Sequence, residues 1–84
     1  MTATSPPLLP LDRLPASGDV LWIARPASPQ FTSPFLFRVI RQFNFDDYFR
    51  TCWIDGYQLD SDGQAIERRS LYVFVDGLRL YNGN

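Results

Sequence analysis

The chain of 84 residues has no histidine and no lysine, and its single glutamate is Glu67. Without histidine it lacks the usual general base near neutral pH. Without lysine it can form neither a phosphate-loop lysine contact nor a lysine Schiff base. These absences remove most of the side chains on which catalysis depends, and they predict a protein that is not an enzyme.

Cysteine is equally scarce, because Cys52 is the only one. It lies in an apolar pattern with no histidine to activate it, so we expect an inert, buried thiol. One cysteine forms no internal disulfide, which is typical of a reducing compartment. A metal site would depend on aspartates alone, and "DSDG" (Asp60–Gly63) lacks the later carboxylates of a calcium loop and is better explained as a hairpin turn. We therefore expect no metal and no other cofactor.

Long hydrophobic runs are missing as well. No stretch approaches the ~18 uncharged apolar residues that span a bilayer, and the N-terminal residues lack the basic start and unbroken apolar segment of a secretory signal. The sequence therefore predicts a soluble cytoplasmic protein. A net charge of −1 weakens the case for non-specific nucleic-acid binding, since that affinity is mainly phosphate neutralisation. The basic residues, all of them arginine, could still form a local patch.

The seven prolines of the chain all lie at or before Pro34. Residues 1–17 are expected to form a flexible, polyproline-like arm, and residues 18–84 a single small β-domain. The segments "PLLP" and "PASP" match a PxxP pattern, which suits a linker as well as a ligand for another protein. Prolines between residues 26 and 34 predict a loop rather than a regular element.

Alternation and β-branched or aromatic content predict five strands separated by turn residues. The first is expected to be buried on both faces because every side chain in it is apolar. We find no helical period, although a short helix capped by Asn44 or Asp46 remains an alternative for "NFDDYFRTCW". The expected strands are Val20–Ala24, Phe35–Phe43, Tyr48–Leu59, Gln64–Val75 and Leu78–Tyr81.

The order of strand, long loop, three-strand meander and short last strand resembles SH3-like barrels. The opening "GDVLWIA" (residues 18–24) is similar to the first strand of that superfold, in which a glycine–aspartate pair precedes an aromatic-containing strand. The resemblance implies a small, closed or nearly closed barrel, which would also remove exposed sheet edges. The loop "PASPQFTSP" lacks the acids of the peptide-binding signalling members, so proline-peptide binding is not implied. The superfold hosts many functions and does not by itself indicate one.

Two hairpins closed by "NFDD" and "DSDG" predict how the strands pair. In that register Arg38 lies opposite Trp53, Arg41 opposite Arg50, and Asp55 opposite Arg68. Side-chain alternation then sorts the residues into two faces. The predicted core face contains Phe35, Phe37, Val39, Cys52, Ile54, Leu71, Val73 and Val75.

The opposite face combines aromatic residues with arginines, which is the composition of interface centres. We expect it to bind a partner through six side chains. The leading hypothesis is a non-enzymatic module that engages another protein or a second copy of itself. The alternative is a nucleic-acid-binding barrel that stacks bases on the same face. The six residues are Arg38, Phe49, Trp53, Arg68, Tyr72 and Phe74.

Overall fold

The computed structural model describes residues 7–9, 13–24 and 33–81. They form an antiparallel sheet of five strands in the order β4-β3-β2-β1-β5, which confirms the predicted all-β class. A 3₁₀ turn over Val75–Gly77 precedes the last strand. The strands are β1 (Val20–Ile23), β2 (Phe35–Asp46), β3 (Thr51–Leu59), β4 (Ala65–Phe74) and β5 (Arg79–Leu80).

The turn between β2 and β3 lies further along the chain than the sequence predicts. The strand β2 continues to Asp46, whose Oδ1 accepts hydrogen bonds from the backbone N–H groups of Tyr48 and Phe49 at 2.9 and 3.1 Å. An aspartate that bonds to the backbone two and three residues later is a strong turn former. The chain therefore reverses over residues 47–50, and the helix considered for this segment is not formed.

The hydrophobic core is one cluster of side chains that project mainly from the inner faces of the strands. Phe37, Ile54 and Val73 come from β2, β3 and β4 and are each 0 % exposed. The predicted core face is confirmed, with Phe35 partly rather than fully buried. Leu78, directly after the 3₁₀ turn, joins the same cluster, which requires the sheet to curl over its own inner face.

The sheet does not show the closed barrel that the sequence suggests. Among the described residues, β4 pairs only with β3, and β5 pairs with β1 and with Leu8. Within this part of the chain β4 therefore remains an edge strand, whereas the outer side of β5 is partly covered by Leu8. Closure would need pairing between β4 and β5, and the 3₁₀ turn joins them without it.

Residues 7–9, which the sequence assigns to the N-terminal arm over residues 1–17, lie against β5. The backbone N–H of Leu80 donates to the carbonyl of Pro7 at 2.8 Å, and that of Leu9 donates to Leu78 at 3.0 Å. Leu9 is only 4 % exposed. Leucines among the prolines thus bury apolar surface, which a purely extended linker would not do. Residues 1–6 and 10–12 of the predicted arm lie outside the described residues.

The first strand is fully buried on one face and only half-buried on the other, which corrects the expectation of burial on both. Leu21 and Ile23 point into the core and are fully buried, whereas Val20 and Trp22 are half-buried. An unbroken apolar sequence does not distinguish a strand buried on both faces from a strand fully buried on one, because a half-buried face also accepts large apolar side chains.

Candidate functional site

The pairing of β3 with β4 differs from the predicted register by two residues. Trp53 lies opposite Tyr72 rather than Ser70, and Asp55 lies opposite Ser70 rather than Arg68. The turn is longer than "DSDG", because the backbone N–H of Asp60 donates to the carbonyl of Gln64. A register shift between Gln58 and Leu59, just before the turn, adds to the difference. A shift of two residues leaves every side chain on its predicted face, so the predicted faces survive on these two strands.

The pairing of β2 with β3 differs more strongly from the prediction. Arg38 lies opposite Tyr57 rather than Trp53, and Arg41 lies opposite Asp55 rather than Arg50. The unfavourable arginine pair is therefore absent. Arg50 instead bonds through Nε to the Asp76 carboxylate at 2.9 Å.

A bulge between Val39 and Arg41 changes which side chains of β2 reach the outer face. Up to Val39 the strand follows the predicted faces, and beyond Ile40 the alternation is reversed. Arg41 and Phe43 consequently join the outer face, and sequence reasoning missed both. The one signal that pointed to this was the predicted contact of Arg41 with Arg50, since like charges directly opposite each other are unfavourable.

Three aromatic side chains form a row across β2, β3 and β4. The rings of Phe43 and Trp53 are stacked with centroids 6.4 Å apart, and those of Trp53 and Tyr72 are tilted with centroids 5.4 Å apart. Trp53 and Tyr72 remain 37 % and 44 % exposed. The Tyr72 hydroxyl donates to Oγ1 of the buried Thr51 at 2.9 Å, which fixes the ring at the end of the row. We call Phe43, Trp53 and Tyr72 the aromatic row.

A charged row lies beside the aromatic row and consists of Arg41, Asp55 and Arg68. The Asp55 carboxylate, in a residue only 7 % exposed, accepts a hydrogen bond from Arg68 Nη2 at 2.8 Å and lies 3.7 Å from Arg41 Nε. The Arg68 hydrogen bond is the main cause that lowers the pKa of Asp55, and the same bond raises the pKa of Arg68. The Arg41 guanidinium also lies 4.3 Å from the centroid of the Phe43 ring. One carboxylate thus holds two arginines against the edge of an aromatic surface.

The structure groups four of the six predicted site residues and separates two. Trp53, Tyr72, Arg68 and Phe74 share the outer face of β3 and β4, and Phe74 lies opposite Thr51. Arg38 is exposed on the same side but lies opposite Tyr57, beyond the charged row. Phe49 is in the turn after β2, 65 % exposed and edge-to-face with Tyr48 at 4.8 Å.

A separate pocket of about 350 Å³ opens near the start of β2. Trp22 and Tyr81 line it, so Trp22 is a pocket residue rather than a core residue. Asp60 and Ser61 are its polar members. None of the six predicted site residues contributes to it. Its remaining lining is apolar: Pro34, Phe35, Leu36 and Leu59.

Cys52 is where the sequence predicted it. It is 0 % exposed in the core, and burial raises the pKa of its thiol to about 11. The thiolate that nucleophilic chemistry needs is therefore scarce near neutral pH.

Comparison of the chain with protein-family models, with curated proteins and with solved structures finds no match. The described residues contain no helix that is both long and apolar enough to cross a membrane. In the same part of the chain, no three acidic, cysteine or histidine side chains are grouped so that they could hold a metal ion.

Proposed function

We propose that this chain is a non-enzymatic interaction module that binds a protein partner through the outer face of β2, β3 and β4. The observation that carries the proposal is the aromatic row, whose Trp53 and Tyr72 are exposed and which is bordered by Arg41 and Arg68. Rigid rings beside arginine are the side chains that dominate binding energy at protein interfaces. The partner is another protein or a second copy of the chain, in the cytoplasm.

The ordering of the face supports a protein partner because it lowers the entropy lost on binding. Trp53 is held between two neighbouring rings, and Tyr72 is fixed by its bond to Thr51. Side chains already fixed in one arrangement lose little freedom when a partner covers them. The charged row supplies orientation, since charged groups at the rim of an interface fix the register of a partner.

The same face is the basis of the alternative, a nucleic-acid-binding barrel. Rings spaced 5.4 and 6.4 Å apart form a platform on which unpaired bases could stack. Two facts favour a protein instead. Asp55 already accepts from Arg68 and lies close to Arg41, so a phosphate would compete with a fixed carboxylate. The net charge of −1 also opposes binding to a polyanion.

The architecture supports assignment of the sheet to the SH3-like small barrels. In the order β4-β3-β2-β1-β5 the last strand lies beside the first, and β2, β3 and β4 form a meander. We infer this assignment from strand order alone. It adds nothing about the ligand, because sites rather than folds carry function.

Capture of partners from native cells tests the proposal. Trp53→Ala is compared with Phe49→Ala, which removes an exposed ring that lies off the face. For a central aromatic we expect a loss of about 2 kcal/mol, roughly 30-fold in affinity, from Trp53→Ala, and little change from Phe49→Ala. Undiminished capture by Trp53→Ala would overturn the proposal.

Fluorescence titration with single- and double-stranded nucleic acids tests the alternative. Trp22 lies in the separate pocket, so a Trp22→Phe background leaves Trp53 as the only reporter. Binding that weakens steeply as salt rises would favour nucleic acid. No change in Trp53 fluorescence at low salt would exclude the nucleic-acid alternative.

A further inference from the structure

The two edges of the sheet differ in how they are covered. Leu8 bridges to Arg79 of β5, and the backbone of Leu80 bonds to Pro7, so that edge is occupied. Within the described residues β4 has a partner on one side only, although it is 10 residues long. Ile66, Tyr72 and Phe74 on this strand are 59, 44 and 41 % exposed. A long edge strand with apolar side chains is a ready template for pairing with another strand.

We propose that β4 pairs antiparallel with β4 of a second copy of this chain, with Ser70 facing Ser70 at the twofold axis. This inference deepens the proposed function, because it names a second copy as the partner and the edge of the same face as the contact. Antiparallel pairing about an axis perpendicular to the sheet places residues of the same face opposite each other. The order β4-β3-β2-β1-β5 would then continue into the order of the second copy.

The side chains along β4 select this register. With Ser70 on the axis, Arg68 lies opposite Tyr72 of the second copy, and Ile66 lies opposite Phe74. An arginine over an aromatic ring and an apolar pair are both favourable cross-strand contacts. The overlap extends from Ile66 to Phe74, nearly the whole strand.

Neighbouring registers are less favourable because they bring like charges together or shorten the paired segment. An axis at Glu67, Arg68 or Arg69 would place a charge opposite its own copy, and like charges directly opposite each other are unfavourable. An axis at Leu71 avoids this, but it shortens the overlap to residues 68–74 and leaves Ile66 without an apolar neighbour. The charges of Glu67, Arg68 and Arg69 therefore disfavour the other registers. Charged side chains also protect an edge strand from non-specific pairing.

The contact would also extend the surface already described. Arg68 is held at 2.8 Å by Asp55 while 59 % of its side chain stays exposed, so its guanidinium can keep that bond and cover Tyr72 of the second copy. The aromatic row, which ends at Tyr72 within one chain, would continue onto this arginine. Continuity of the face across the axis is the reason to favour a second copy over an unrelated extended peptide.

Disulfide trapping tests the register. Residues directly opposite in an antiparallel pair have Cα atoms about 4.5–5.5 Å apart, within the range of a disulfide. Ser70→Cys should therefore form a covalent dimer under mild oxidation. Tyr72→Cys is the matched control, since its two copies would be displaced by about 13 Å along the strands. Cys52 does not interfere in the folded chain, because it is fully buried.

Sedimentation of the uncross-linked protein tests the association itself. We expect the mass to rise with concentration from 9.7 kDa towards twice that value, and Ser70→Lys, which places like charges on the axis, to remain monomeric. A wild-type monomer at all concentrations, or cross-linking of Ser70→Cys no faster than of Tyr72→Cys, would overturn the inference. An extended peptide as the occupant would give a monomer that binds in a Ser70→Lys-sensitive manner, which also overturns it.

These outcomes separate this inference from the proposed function. If the chain is monomeric but partner capture still depends on Trp53, the face functions as proposed and the β4 pairing is wrong. If Ser70→Cys cross-links but Trp53→Ala captures normally, the pairing stands and the proposed face is wrong.

Discussion

Gly56 lies where β2 and β3 approach each other closely, and its replacement by alanine is the sharpest test of the fold. It lies opposite Val39, beside the bulge in β2. A Cβ atom built on Gly56 would lie 2.1 Å from the carbonyl oxygen of Arg38 and 2.8 Å from Cε2 of Phe37. Both distances are far below van der Waals contact, and the closest atom is backbone, which cannot rotate away.

The expected cost follows from this geometry. Overpacking in a core costs roughly 1–3 kcal/mol when side chains can adjust. Because a carbonyl of a paired strand must move here, we expect the upper end, about 3 kcal/mol. For a domain of this size 1 kcal/mol corresponds to roughly 4–8 °C in Tm, so Gly56→Ala should lower Tm by about 12–24 °C. Without the clash the sign would reverse, since alanine in a strand interior is favoured over glycine by roughly 0.5–1 kcal/mol.

Urea unfolding followed by tryptophan fluorescence measures the change. Gly63→Ala is the matched control, because Gly63 has a φ of 82° but nothing lies within 4 Å of its added Cβ. We expect the control to cost about 1 kcal/mol, from left-handed backbone strain alone. Equal or higher stability of Gly56→Ala would refute the close approach of the two strands, and with it the bulge that turns Arg41 outward.

Three further outcomes are expected. Because Arg68 lowers the pKa of Asp55 in the folded chain below the ordinary value of 3.8, this carboxylate stabilises the fold above that pH, and the contribution is lost as pH falls through the lowered pKa. The stability difference between wild type and Asp55→Asn, measured by urea unfolding, should therefore shrink from pH 6 to about pH 2. The Cys52 thiol, with a pKa of about 11 and no exposure, should react with a thiol reagent at pH 8 only as fast as the chain opens; rapid labelling of the folded protein would contradict its burial. Tyr72→Phe should cost about 1 kcal/mol, because it leaves the buried Thr51 hydroxyl without that partner, and the loss should largely vanish in a Thr51→Val background.

The predictable part of the fold was the part governed by side-chain alternation. Along β3 and β4, aliphatic side chains and the cysteine recur at every second position, so the core face, including Cys52, Ile54 and Val73, follows from sequence. A register error of two residues left this assignment intact, since the pleat has the same period. For the candidate site, this is why Trp53, Tyr72 and Phe74 were correctly placed on one outer face.

The positions of Arg38 and Phe49 depended on register and turn geometry, which alternation does not determine. Asp46, rather than the preceding "NF", begins the turn, because its carboxylate bonds to two backbone N–H groups. That choice moved Phe49 off the sheet and changed the residue opposite Arg38. Either aspartate of "DD" could have begun such a turn, and local sequence offers no means to choose between them.

The all-β class and the inner and outer faces of β3 and β4 follow from the amino-acid sequence, because they depend on residue type and a period of two. The lack of histidine and lysine chemistry follows from composition alone. The bulge at Ile40, the docking of Leu9 beside β5 and the partial burial of Trp22 follow only from the three-dimensional packing. Each of these depends on contacts between segments distant in sequence. At the bulge, Gly18 and Asp19 bond to the backbone of Val39 on one side while Gly56 admits the strand closely on the other. That meeting of three segments turns Arg41 and Phe43 outward and completes the candidate site.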